Sequence, residues 1–294
     1  MHTILGATGN IGRHLAEILL KKGQPVRAIG RSPQKMQPLI DLGAQAAVGD
    51  AANLAFLTEA FAGSDTVFVM IPPNYTAIDF IAYQNEFGRT VARALVDSNV
   101  THVVNLSSHG AHLKENTGPI RGLRDQEKRL NNIEAINFLH LRPTYFMENF
   151  LMNVQLIKTM GINGGHIRGD LPVAMIATRD VAQAASEHML GRDFSGKSVR
   201  ELLGPQDISM ADATRIIGEK IGKPDLTYIY FSRQDYIRGL VESGLTNDMA
   251  QLLAEMSAGI NDGLFGTGRK RTPETVTPTK FEAFANVFAR IYNS

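Results

Sequence analysis

The chain has 294 residues, enough for one large α/β domain carrying a smaller appended region, or for two domains. Hydrophobic residues make up 44% and charged residues 20%, and the formal net charge of +1 supplies no global field toward nucleic acid or an anionic membrane. With no cysteine, disulfides, thiolate catalysis and cysteine-ligated zinc or iron–sulfur centres are excluded.

The opening MHTILGATG has neither a basic leader region nor a cleavage site, and no run approaches the ~20 apolar residues of a membrane helix. A soluble, cytoplasmic protein with no membrane partner is expected. Short apolar runs alternate with helical patterns through the first half. His2 to Leu5 reads as a strand, and Ile11, Leu15, Ile18 and Leu19 follow at helical spacing up to Gly23. Val26–Ile29 and Ala46–Val48 read as the second and third strands, and Leu54–Phe61 as a helix. Thr66–Ile71 is a strongly apolar fourth strand stopped by Pro72-Pro73. A long helix spans Ile78–Val96, and a fifth strand His102–Leu106. A helix over Arg124–Asn132 precedes a sixth strand, Phe138–Leu141. Strands apolar on both faces, alternating with helices, predict right-handed βαβ units in a parallel sheet covered on both sides.

Beyond Asn149 the pattern loosens. Val173–Ile176 reads as an isolated strand, Asp180–Leu190 as a helix, and a seventh strand near 198–203 is expected to rejoin the sheet. Met210–Ile221, the Leu- and Met-rich stretch Arg233–Leu264, and a last helix from Thr279 complete the chain. The expected fold is a Rossmann-type doubly wound parallel sheet, residues 1–150, with a smaller, mostly helical C-terminal cap, 151–294. The cap would overlie the strands' C-terminal ends, where ligands bind in open α/β folds.

The first strand runs into Gly6-Ala7-Thr8-Gly9-Asn10-Ile11-Gly12, which opens an amphipathic helix. In that strand–turn–helix context Gly6 permits the tight turn and Gly9 lets the backbone approach a diphosphate. Gly12 lets the helix pack on the strand, and the helix N-terminus offers free amides to the anion. A carboxylate ending the second strand would hold a ribose 2′-hydroxyl and select NAD. Here the strand ends Gly30-Arg31-Ser32-Pro33-Gln34-Lys35, so Arg31 and Lys35 are expected to meet a 2′-phosphate, and NADP(H) is preferred over NAD(H).

Together GATGNIG, the GRSP segment, Gly49-Asp50, SSHGA, LRPTYFMEN and the C-terminal TPTKFEAFANVFA resemble the NmrA-like branch of the atypical short-chain dehydrogenases/reductases. The resemblance implies that Thr8, Gly9, Asn10 and Ile11 line the pyrophosphate and that Asp50 and Ala51 approach the adenine. It puts Ile71 and Pro72 behind the nicotinamide ribose, Ser107 at the tip of the fifth strand, and Pro143, Thr144 and Phe146 beside the nicotinamide. One departure from the wider superfamily stands out. No tyrosine here is followed four residues later by lysine, and Leu123 and Glu127 occupy that pair's place. Epimerase or dehydratase chemistry, which needs the acid/base pair, is therefore not expected.

Two functions remain open. One is a reductase passing hydride from NADPH to an electron-poor acceptor such as a quinone or dye. The other is a non-catalytic sensor that binds the nucleotide and regulates a partner protein. His109 and Lys128 are the candidate proton donors, and Tyr75 and Phe150 the candidate walls for an apolar substrate. His109-x-x-His112 lacks a third ligand, so no metal is expected. His140, inside an apolar strand, reads as a buried, hydrogen-bonded core residue.

Overall fold

The computed structural model describes residues 1–266 and 268–294. Seven parallel strands form the main sheet: β1 (His2–Leu5), β2 (Val26–Gly30), β3 (Gln45–Val48), β4 (Thr66–Val69), β5 (His102–Leu106), β6 (Asn137–Pro143) and β10 (Lys197–Leu202). Their order across the sheet is β10-β6-β5-β4-β1-β2-β3. The chain reverses its direction of travel across the sheet beside β1. A crevice therefore opens beyond the C-terminal ends of β1 and β4, the place where open α/β sheets bind ligands.

Helices α1 (Asn10–Lys21), α2 (Pro33–Asp41), α3 (Leu54–Phe61), α4 (Phe80–Asp97) and α5 (Ile120–Asn131) connect these strands. One core cluster joins Ile4, Ala28, Phe68, Val104 and Leu141 to Leu15 and Leu19 of α1 and to Val181 and Ala185 of α7 (Thr178–Gly191). The other face packs Leu57, Phe61, Val91, Leu95 and Leu130 against Val67, Val69, Val103 and Phe138. Strands buried on both faces explain the unbroken apolar runs in the sequence.

After β6 the chain leaves the sheet. Strands β7 (Tyr145–Phe146), β9 (Pro172–Ile176) and β11 (Asp207–Ser209) form a small second sheet. A third pairs β8 (Ile162–Gly165) with β12 (Thr227–Tyr230). Val173–Ile176 is thus not isolated: β9 pairs antiparallel with β11 and parallel with β7. Helices α6 (Val154–Met160), α8 (Met210–Lys220), α9 (Arg233–Glu242), α10 (Asn247–Asn261) and α11 (Phe281–Asn293) complete the cap. Its own core gathers Phe150, Met175, Ile217, Phe281, Phe284 and Phe288, the last three forming the apolar stripe of α11.

Two links fasten cap to sheet. The Phe80 amide donates to Asp248 Oδ2 at 2.9 Å, and Thr246 N donates to Tyr75 O at 3.1 Å, tying the start of α10 to the start of α4. On the far side the segment before α11 runs along β10, where Leu203 N donates to Thr275 O and Thr277 N to Leu203 O, each at 2.8 Å. Arg269 bonds Glu201 and Arg271 bonds Asp207, each at 2.5 Å. Among the described residues no helix is long and apolar enough to cross a membrane, and no cluster of three metal-ligating side chains occurs.

Candidate functional site

Gly6 adopts φ +76°, a conformation that glycine reaches without steric cost. Gly9 is the N-cap of α1, no side chain caps that helix, and its first turn carries no acidic residue. The amides of Asn10, Ile11 and Gly12 are thus left without an intrahelical or side-chain partner at a positive dipole end. A Cβ on Gly12 would sit 2.2 Å from Gly6 O, so α1 meets the turn as closely as a helix can. A Cβ on Gly9 would meet only Gly6 O, at 3.3 Å, and would otherwise project into the open crevice. Thr8 and Asn10 flank this cradle, whereas the Ile11 side chain is buried in the core, so Ile11 can offer an anion only its backbone. The cradle fits a diphosphate.

Toward the β2–β3 side, Arg31 and Lys35 are exposed at the start of α2, and Ser32 caps that helix through a bond from Lys35 N. Ser32 is therefore spent on the helix. Asp50 follows β3 and accepts from Ala52 N at 3.0 Å, a turn role that leaves its second oxygen free. Ala51 is half-buried against the core beside it. The sequence reading missed Tyr83 in this region. It lies on α4 in line with Phe80 and Phe87, and its hydroxyl donates to Pro72 O at 2.9 Å. Burial pushes its phenol up, and the nearby charges of Arg31 and Asp50 act on it in opposite directions. Tyr83 thereby ties the loop after β4 to the Arg31–Asp50 end of the crevice.

On the other side of the switch point, Met70, Leu106 and Phe146 are only partly buried against the cluster that contains Ala7 and Ile11. They give the crevice an apolar floor beside the glycine turn. Ile71 is buried, Pro72 half-buried, and Tyr75 is 42% exposed on the loop that α10 clamps. Pro143 ends β6 and Thr144 follows it, with Thr144 N and Oγ1 both bonded to Leu202 O.

Ser107 and Glu127 form a feature the sequence suggested only in part. Ser107 Oγ donates to Glu127 Oε1 at 2.5 Å, and Arg142 donates to both carboxylate oxygens, at 2.9 and 2.5 Å. Burial would raise the Glu127 carboxyl, but the bonds from Arg142 and Ser107 outweigh it and hold it below the usual range. Glu127 is therefore a buried anion locked between Ser107 and Arg142. The signal available in the sequence was Arg142, a cation inside the apolar run LHLRP.

The two proposed proton donors fare differently from expectation. His109 is buried, its Nε2 donates to Phe265 O at 2.8 Å, and its Nδ1 lies 3.6 Å from Glu201. Burial holds the ring below the ordinary imidazole value, so it stays neutral and braces the segment that runs along β10. Lys128 is exposed on α5, one residue past the inward-facing Glu127 and so about 100° around the helix, away from the crevice. Phe150 is likewise not a cleft wall. It packs edge-on against Phe281 at 5.3 Å in the cap core. The remaining expected positions follow the C-terminal ends of β1 to β6 and share one edge of the sheet. A surface groove of about 650 Å³ lined by Leu54, Thr58, Asp97 and Asn99 runs along α3 to the end of α4 and includes none of these positions.

The description of the NmrA-like family matches residues 2–285. The chain belongs to the NmrA-like family. Among curated NmrA-like and related proteins, quinone oxidoreductase 2 of Escherichia coli strain K12 is 27% identical over 90% of this chain and 89% of that protein. The crystal structure of an NADPH-dependent quinone oxidoreductase from Escherichia coli superposes with a TM-score of 0.78 at 25% identity, covering 98% of this chain and 99% of that one. The Citrobacter sp. triphenylmethane reductase complexed with NADP(H) shares the fold, with a TM-score of 0.79 at 19% identity over 98% of this chain and 100% of that one.

Proposed function

We propose that this chain binds NADP(H) and is a reductase for a small, electron-poor acceptor of the quinone or dye kind. The observation that carries the reading is the uncapped start of α1, held against Gly6 by Gly12, with Arg31 and no carboxylate at the end of β2. The similarity to quinone oxidoreductase 2 over nearly the whole chain supports it.

NADPH bound in this crevice supplies a hydride. The amides of Asn10, Ile11 and Gly12 take the diphosphate, and Arg31 takes the 2′-phosphate, helped by the N-terminal end of α2. Met70, Leu106 and Phe146 present an apolar surface on which a flat ring can lie. The cap, pinned at α4 and along β10, keeps water from the reacting edge. Glu127 is locked by Ser107 and Arg142, and His109 Nε2 is spent on Phe265 O. A site so arranged suits acceptors that need orientation more than a strong protein acid.

The test is NADPH oxidation, followed by absorbance, across a panel of quinones and triphenylmethane dyes, with NADH alongside. Turnover favouring NADPH is expected. Replacing Arg31 with Ala removes a charge-assisted contact, so the preference for NADPH over NADH should fall by about tenfold or more. Tight NADPH binding without oxidation by any acceptor would overturn the reductase reading.

A further inference from the structure

Helix α10 lies across two loops that leave the sheet beside the crevice. One runs from β4 to α4 and carries Pro72 and Tyr75; the other runs from β5 to α5 and carries Ser107 and His109. Met70 and Leu106, two residues of the apolar floor, stand at the roots of these loops. On α10 the residues Asp248, Leu252, Glu255 and Gly259 recur at spacings of four, three and four, so they form one stripe. Asp248 Oδ2 accepts from the Phe80 amide at 2.9 Å, where the first loop enters α4. Leu252 is buried with Phe80 in a small apolar cluster. Glu255 Oε1 accepts from the Gly118 amide at 3.1 Å, where the second loop enters α5. Gly259 lies against the same loop: a Cβ there would sit 2.4 Å from Asn116 O, and one on Gly118 would sit 2.0 Å from Leu252 O.

The first loop relies on groups outside itself. Tyr75 O and Ala77 O are both taken by Thr246, through its amide at 3.1 Å and its hydroxyl at 2.9 Å, and Pro72 O is taken by Tyr83. In the second loop Gly110 packs on the ring of Phe265, just past the end of α10. The Phe80 amide belongs to the first turn of α4 and has no partner inside that helix, so Asp248 supplies one. A carboxylate bonded to a backbone amide is a charge-assisted contact, stronger than a neutral one.

Asp248 and Glu255 are seven residues apart, about 10 Å along the helix axis. A helix holding one loop at each of these points fixes the distance between them. We propose that α10 is a spacer bar for the acceptor site, with Asp248 and Glu255 as its positioning residues, each holding one of the two loops that wall the apolar floor. The inference rests on the reductase reading and concerns the acceptor alone. The glycine turn follows β1 and Arg31 follows β2, and neither belongs to a loop that the bar holds.

The experiment uses full-length protein, with 1,4-naphthoquinone as acceptor, and compares wild type with Asp248→Ala, Asp248→Asn, Glu255→Ala and Glu255→Gln. Asn and Gln keep an oxygen for the amide and, like Ala, lack the charge, so each pair isolates the bond from the helix-dipole effect at Asp248 and from the ion pair of Glu255 with Arg121. Glu255→Ala tests the bar without touching the start of α10. Hydrogen exchange reads the two amides directly. Phe80 in Asp248→Ala and Gly118 in Glu255→Ala should exchange about tenfold faster than in wild type, and near the wild-type rate in the Asn and Gln variants. Under turnover both Ala variants should raise the KM for the quinone by about fivefold or more, with a smaller fall in kcat. Calorimetric NADPH affinity should stay within about twofold, and the Asn and Gln variants should stay near wild type throughout. An unchanged exchange rate at both amides would overturn the bar. So would a wild-type quinone KM despite faster exchange, or equal losses of quinone and NADPH affinity, which mark a merely structural role. A wild type that oxidises NADPH with no quinone or dye would overturn the reductase reading and the positioning role with it.

Discussion

His140 has no exposed surface, yet it carries the one side-chain type that titrates near neutrality. Asn105 Nδ2 lies 3.0 Å from its Nδ1, and Asn131 Oδ1 lies 2.9 Å from its Nε2. An amide NH₂ on one side and a carbonyl oxygen on the other fix a single neutral tautomer, protonated at Nε2. Burial pushes its pKa down from 6.5 to about 4. The sign of the consequence follows. Above pH 6.5 native and unfolded chains are both neutral here, and this contribution to stability is complete. As the pH falls from 6.5 toward 4, the unfolded chain takes a proton that the native state refuses. The protein then loses on the order of 3 kcal/mol. The urea midpoint should fall through that window and more gently above it. His140→Gln, though less stable at pH 7, should flatten the slope; a variant with the wild-type slope would show that His140 does not cause it. Below about pH 4.5 protonation of Glu127, held low in the native state, adds a second loss. The buried character of His140 was legible because both its strand neighbours are leucine. The Ser107–Glu127–Arg142 lock was not. It joins β5, α5 and β6, and no sequence spacing links an arginine to a glutamate fifteen residues earlier across a helix and a strand.

The first helix and its turn depend on one interatomic approach. A methyl group on Gly12 would meet Gly6 O at 2.2 Å, Gly6 C at 2.8 Å and the Ala7 Cα at 2.9 Å. All three are backbone atoms, so α1 must move off β1 or the turn must open. Gly12→Ala should cost about 1–3 kcal/mol, as overpacking does, and weaken NADPH binding by at least tenfold. Gly9→Ala meets a single atom at 3.3 Å and should leave the melting temperature near wild type while still blocking the phosphates. Calorimetry and thermal melts on the pair separate the roles. Wild-type NADPH affinity in Gly12→Ala would remove the packing argument. The same distinction between local and distant causes explains which elements were readable. The inner strands of the main sheet, β1, β2, β4, β5 and β6, are largely buried on both faces and announce themselves in any window. α2 does not: only Met36 and Leu39 are buried, and Pro38 sits inside it. β8 is half glycine, and β12 is mostly exposed. Such strands exist because a partner tens of residues away supplies the ladder, Tyr228 opposite Asn163 for example, and neither run carries that information alone.

Across the whole molecule, sheet and cap are not divided at the point where the sequence pattern changes. The core cluster that holds α1 includes Ile176, Val181, Ala182, Ala185, Met189, Phe194 and Leu202, all from beyond residue 150. α7 lies against α1, and β10 covers the whole of β6, from Phe138 opposite Lys197 to Pro143 opposite Leu202. Remove those elements and β6 becomes an edge whose Leu139 and Leu141 lose their cover, beside an α1 stripped of its neighbour. A chain stopped after residue 150 would keep the glycine turn, Arg31 and Asp50, so a self-sufficient nucleotide module would still bind NADPH. The packing predicts the opposite. That fragment should aggregate or melt without a cooperative transition and show no calorimetric NADPH binding, whereas the full chain should unfold in one transition that NADPH shifts upward. Cooperative melting of the fragment with nucleotide affinity near that of the full chain would show that the later residues serve the crevice only as a lid. Otherwise the cap segment between β6 and β10 is an insertion within the nucleotide-binding unit, and a change in the cap reaches the phosphate cradle through α7 and α1.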